Sequence, residues 1–135
     1  MIFGIGTDMV AVARIRSALE RYGDRFAQRV LTNSEWLEYQ AASRRERVVA
    51  KRFAVKKAAV TALGSGFGNG IFWRDIGTEH DELGRPHLWW TPAVWVRCQA
   101  MGVADAFVSV TDENDYALAF VVLTRTPASQ TANQI

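Results

Sequence analysis

One cysteine, two histidines and three prolines in 135 residues leave several chemistries without material. Cys98 alone cannot form an internal disulfide, and no group of Cys and His has the spacing of a zinc site. No apolar run approaches the ~18 residues a membrane-spanning helix needs, which predicts a chain with no membrane partner. The opening MIFGIGTDMV lacks a basic segment and brings in Asp8 too early for a secretory signal. These absences together predict a soluble protein in a reducing, cytoplasmic setting. Lysine is also scarce: thirteen of the sixteen cations are Arg. Arg grips phosphate and carboxylate with a planar fork, so the bias leans towards recognition of anions.

Hydrophobic residues make up 49% of the chain and charged ones 22%, the composition of a globular protein with a core of its own. The length suits one domain, expected over residues 1–125, with a disordered tail at 126–135. The net charge of +2 hides a division. Residues 1–57 carry twelve Lys/Arg against six Asp/Glu, and residues 58–135 carry four against eight. A basic half fits either an anionic partner or a solvated helical face. No RNA- or DNA-binding signature accompanies it, so no nucleic-acid partner is expected.

The period of the apolar residues divides the chain. IFGIG (2–6) reads as a short buried strand followed by Asp8. Val12, Ile15 and Leu19 repeat at helical spacing over 10–21 and leave Arg14, Arg21 and, past Gly23, Arg25 on exposed faces. Thr32-Asn-Ser-Glu35 is a capping box that opens a helix through about Ala42. The longest helical pattern covers 44–63, with Val49, Phe53 and Val60 on one stripe and Gly64 placed to end it. A glycine-rich loop, GSGFGNG, follows at 64–70. Strands at 74–79 and 87–91 flank the turn Asp81–Gly84, a short helix covers 93–101, and 106–111 with 116–123 form a hairpin. The order predicts an α+β fold, a small antiparallel sheet with helices packed on one face. The five Trp residues suit a core, or, for the Trp89–Trp90 pair, a subunit interface.

Familiar catalytic patterns are missing. His80 and His87 sit in or beside strands, as turn or surface residues would. Ser65 follows a helix rather than a strand, so it is no nucleophile elbow. The glycine loop lacks the Gly-Lys-Ser/Thr of a Walker loop. What stands out is Asp8 just after a strand, and the helical run Arg52-Phe-Ala-Val-Lys56-Lys57 leading into Gly64-Ser-Gly66.

The segments GIGTDMVAVARI, KRFAVKKAAVTALGSG, ELGRP and VSVTDENDYALAFVV, in this order, resemble the acyl-carrier-protein synthase type of 4′-phosphopantetheinyl transferase. The resemblance runs from residue 2 to about 124. It implies a homotrimer with active sites between subunits, supporting fatty acid biosynthesis. The reaction it implies moves the phosphopantetheine arm of coenzyme A onto a serine of acyl carrier protein, releasing 3′,5′-ADP. Asp8 matches the family's Mg²⁺ ligand. Arg52 and Lys56 match basic positions on the phosphates of coenzyme A. Gly64, Ser65 and Gly66 match the loop beside the nucleotide, and Gly84, Arg85 and Pro86 the turn near the adenine. Ser109, Thr111 and Asp112 match the hairpin that lines the cleft from the neighbouring subunit. Arg14, Arg21 and Arg25 match the helix that meets the acidic carrier protein.

Two positions depart from the pattern. The family has Glu, its second metal ligand, where this chain has Lys57, and Lys where this chain has Thr61. One metal carboxylate is thus reversed in sign and one catalytic cation is gone, on a single helix face. Lys57 is expected to oppose a divalent ion and to pair with Asp8. Two readings follow: a holo-acyl-carrier-protein synthase with altered metal use, in which Asp8, Lys56 and Lys57 carry the chemistry, or a homologue that binds coenzyme A or carrier protein without transfer.

Overall fold

Gly4 and Gly6 set the geometry of the fold. In the computed structural model, which describes residues 1–127, a Cβ built on either glycine would lie 1.9 Å from a carbonyl oxygen, of Ala62 for Gly4 and of Ala58 for Gly6. Strand β1 (Ile2–Ala11) therefore lies backbone to backbone on helix α4 (Arg45–Leu63). Only glycine on the strand permits that approach.

Between them come α1 (Val12–Tyr22), α2 (Asp24–Val30) and α3 (Asn33–Ala41). Thr32 and Glu35 form the expected capping box of α3. Gly64 ends α4 with φ of 79°, as its position predicts. After a 3₁₀ turn at Trp73–Asp75 follow β2 (Ile76–His80), β3 (Pro86–Trp90), α5 (Pro92–Met101), β4 (Val103–Asp112) and β5 (Tyr116–Arg125). Thr126, the first residue of the expected tail, still donates its N–H to the Gly102 carbonyl, while residues 128–135 lie outside the described part.

The fold is α+β, as the order of elements predicts, with three local corrections. β1 runs to Ala11, so Asp8 lies inside the strand rather than after it. α2 was not expected; its seven residues are too few for a clear apolar period. The strands divide into two antiparallel sheets, β1-β5-β4 and β2-β3, rather than one. α4 covers one face of the larger sheet, against Ala117, Ala119, Val121 and Leu123 of β5. It is buried almost all round, not along one stripe. Trp90 belongs to the core and Trp89 faces the other side of its strand, partly exposed. No helix among the described residues is long and apolar enough to cross a membrane.

The other face of the larger sheet is open and apolar. Cross-strand rows Ile5–Val122–Phe107, Thr7–Phe120–Ser109 and Met9–Leu118–Thr111 span it. Phe107 is 59% and Phe120 42% exposed.

Candidate functional site

Asp8 stands on the α4 side of β1, opposite Ala119 of β5. It lines a pocket of about 280 Å³ with Lys57 of α4 and Arg14 of α1. Phe26 and Phe53 form apolar walls. Burial pushes the Asp8 carboxyl above its usual range, and the Lys57 charge partly opposes this. The expected Asp8–Lys57 ion pair does not form; the salt bridges among the described residues do not include it. The Lys57 ammonium instead lies 5.9 Å from the centroid of the Phe53 ring, within cation–π range. Thr61, one turn on, donates its hydroxyl to the Lys57 carbonyl at 2.9 Å and brings no charge.

A larger groove of about 780 Å³ shares the Phe26 and Phe53 walls. Arg25, Arg29 and Arg74 line it, with Trp73 stacked on Phe53 at 4.6 Å and on Phe67 at 4.1 Å. Sequence reasoning missed Phe26, Arg29, Trp73 and Arg74. They sit on the short α2 and the 3₁₀ turn, and only the fold brings them to one wall.

Arg52 and Lys56 need correction as contacts for phosphate. Both are sealed inside the protein, facing α3. Arg52 forks onto Glu38 through two bonds of 2.9 Å, and only 2% of its side chain is exposed. Its Nη1 finds no partner among the described residues. Lys56 Nζ lies 2.8 Å from Glu35 Oε1, also bonds the Ile76 carbonyl, and has no exposed surface. A helix packed on both sides turns successive residues into different surroundings, and these two turn towards acidic partners. Burial lowers the Lys56 pKa, against the pull of Glu35.

The remaining expected residues lie apart from the Asp8 pocket in one chain. Gly64, Ser65 and Gly66 follow α4 at its C-terminus, where the Ser65 hydroxyl bonds the Gly66 carbonyl. Gly84, Arg85 and Pro86 form the β2–β3 turn, tied by Asp81 Oδ1, which accepts from the N–H groups of Leu83 and Arg85. Ser109 and Thr111 stand on the open face of the sheet, opposite to Asp8. Asp112 lies 3.9 Å from Arg47. Arg14, Arg21 and Arg25 are exposed on α1 and the start of α2, and Arg14 alone of them reaches the Asp8 pocket.

The Asp8 pocket does not fit Mg²⁺. It offers one carboxylate, and two cations face it. Mg²⁺ binds through carboxylates, phosphates and water. A unit charge at 4 Å counts for about 4 kcal/mol at an effective dielectric of 20, so an ammonium beside the ion opposes it strongly.

The profile of the 4′-phosphopantetheinyl transferase superfamily matches residues 4–121. A holo-[acyl-carrier-protein] synthase from Halorhodospira halophila is 48% identical over 91% of this chain and 98% of its own. The crystal structure of such a synthase from Neisseria meningitidis superposes with a TM-score of 0.89 at 40% identity, covering 93% of this chain and all of that one. A holo-(acyl-carrier-protein) synthase from Bacillus anthracis, in complex with CoA (3′,5′-ADP), superposes at 0.77 with 31% identity, over 93% of this chain and 99% of that one. These likenesses do not favour the reading of a homologue without transfer.

Proposed function

This chain belongs to the 4′-phosphopantetheinyl transferase superfamily, and from that premise we propose that it is a holo-[acyl-carrier-protein] synthase. It takes coenzyme A as donor and the serine of an apo acyl carrier protein as acceptor. The observation that carries this reading is the 48% identity to a synthase over nearly the full length of both chains.

The serine oxygen bonds to the phosphorus that carries the pantetheine arm. The bond from that phosphorus to the bridging oxygen breaks. The electron pair leaves on the 5′-phosphate of 3′,5′-ADP, and the serine proton passes to water. Such a displacement needs positioning and cancellation of charge more than covalent help. Lys57 and Arg14 supply cations beside the Asp8 pocket, and the apolar walls of Phe26 and Phe53 keep it partly dry, which strengthens charge pairing. The Gly64–Gly66 loop turns its N–H groups back onto the Val60 and Thr61 carbonyls, and its two glycines leave open space beside them for the nucleotide.

Arg14, Arg21 and Arg25 form a basic edge for an acidic carrier protein, and Arg14 joins that edge to the pocket. The open apolar face of the β1-β5-β4 sheet supports a homotrimer, since a soluble chain rarely leaves so broad a patch in water. The neighbouring subunit then supplies the Gly84-Arg85-Pro86 turn or the Ser109–Asp112 hairpin to a shared site. The setting is the cytoplasm and the service is fatty acid biosynthesis. Incubation with coenzyme A and an apo carrier protein, read by intact mass, tests the proposal. Gain of the phosphopantetheine mass on the carrier serine is expected. A carrier that stays unmodified under all conditions, with no binding of coenzyme A, overturns it.

A further inference from the structure

We infer that the Lys57 ammonium takes the place of a divalent cation in the Asp8 pocket, so that this chain binds the pyrophosphate of coenzyme A without a metal ion. The inference rests on the reading of coenzyme A as donor.

Four observations support it. The pocket faces one carboxylate, Asp8, with two cations, Lys57 and Arg14, and so presents net positive charge to an incoming anion. Lys57 is exposed and held by no acidic partner among the described residues, whereas its neighbour Lys56 is locked onto Glu35. Its ammonium, 5.9 Å from the Phe53 ring centroid at the pocket, has only that weak contact to give up. Thr61 has turned its hydroxyl back onto the helix, so Lys57 carries the charge on this face of α4.

Charge balance agrees. Two carboxylates and one divalent ion sum to zero, as do one carboxylate and one ammonium. Lys57 opposite Asp8 thus reproduces the net charge of a metal-loaded pair of acids. The match extends to charge but not to coordination. An ammonium donates hydrogen bonds to phosphate oxygens and holds no water for chemistry.

Calorimetric titration of the intact protein with coenzyme A, in EDTA and in saturating Mg²⁺, tests this. The wild type is expected to bind with affinities that differ by less than about two-fold between the two conditions, since no cation is linked to binding. Lys57→Met keeps the length and removes the charge. It is expected to weaken binding about ten-fold or more in both conditions, the worth of a hydrogen bond to a charged group. Lys57→Arg is expected to retain most of the affinity. Lys57→Glu should bind poorly in EDTA and recover with Mg²⁺, because it supplies the second hard oxygen ligand. Lys57 is exposed on the helix, so none of these variants threatens folding. Wild-type binding that collapses in EDTA and returns with Mg²⁺ overturns the inference and leaves the transferase reading intact. Absence of coenzyme A binding in both conditions overturns the transferase reading itself.

Discussion

The Lys56 ammonium lies 2.8 Å from the Glu35 carboxylate, and both groups are closed off from water. Lys57, the next residue, points about 100° away around the helix and stands in the open pocket beside Asp8. One lysine ties α4 to α3; the other is free for a ligand. Glu35 also accepts from the backbone N–H of Thr32 at 3.0 Å and of Thr78 at 2.9 Å, so one carboxylate joins the α3 cap, α4 and β2. Lys56→Met leaves that carboxylate buried without its counter-charge. A loss of about 3–5 kcal/mol in urea unfolding is expected, the usual cost of breaking a buried pair from one side. Unchanged stability would show that the pair holds nothing together.

Gly6→Ala should be destabilising well beyond the loss of a glycine's freedom. The added methyl would sit 1.9 Å from the Ala58 carbonyl oxygen, so β1 must lift off α4. Overpacking of this kind costs about 1–3 kcal/mol and at times more. A lowered melting temperature checks it. Because Asp8 and Lys57 sit on these same two elements, coenzyme A binding should weaken in step.

The Arg52–Glu38 pair predicts sensitivity to acid. Burial pushes the Glu38 carboxyl up, but the fork of Arg52, helped by Lys51 and His80, outweighs it and holds the carboxyl below its usual range. A carboxyl whose folded-state pKa is depressed contributes stability that is present above the unfolded value and is lost as pH falls through the folded one. The unfolded value is about 4.3. Wild-type stability relative to Glu38→Gln should therefore shrink as pH is lowered from about 6 to about 3. Denaturant midpoints of the two proteins across that range measure it; a constant difference would contradict the pairing.

Phe120→Asp on the open sheet face should break self-association while the monomer stays folded. Phe120 lies between Thr7 and Ser109 in the central row of that face, with its side chain exposed. Sedimentation should show the wild type at three times the chain mass and the variant at one. A wild type that sediments as a single chain at micromolar concentration would remove the trimer.

Arg14→Glu should slow association with an acidic carrier protein more than Arg21→Glu does, because Arg14 stands where the basic edge meets the pocket. Exposed charges are screened over about 10 Å at 0.1 M salt, so the association rate should fall as salt rises. A stopped-flow rate indifferent to salt would place docking elsewhere.

Local signals made much of the fold legible in the sequence. The capping box at Thr32 and Glu35, the Gly64 stop and the alternating hairpin all depend on neighbours a few residues away, and each appears where its pattern places it. The pairing of β1 with β5 and the split into two sheets join residues more than a hundred positions apart in the first case, and no local period records them. The same limit governs the site. Asp8 and Lys57 could be named from the chain, but their shared pocket depends on Gly4 and Gly6 meeting Ala62 and Ala58. That Lys56 is buried and Lys57 open was undecidable from two adjacent lysines. The choice was made by α3, whose Glu35 and Glu38 reach one side of α4 and draw Lys56 and Arg52 inward, while the other side is left to the pocket. Sequence period assigns residues to faces; only the packing of a second element says which charges on those faces find a partner and which remain for a ligand.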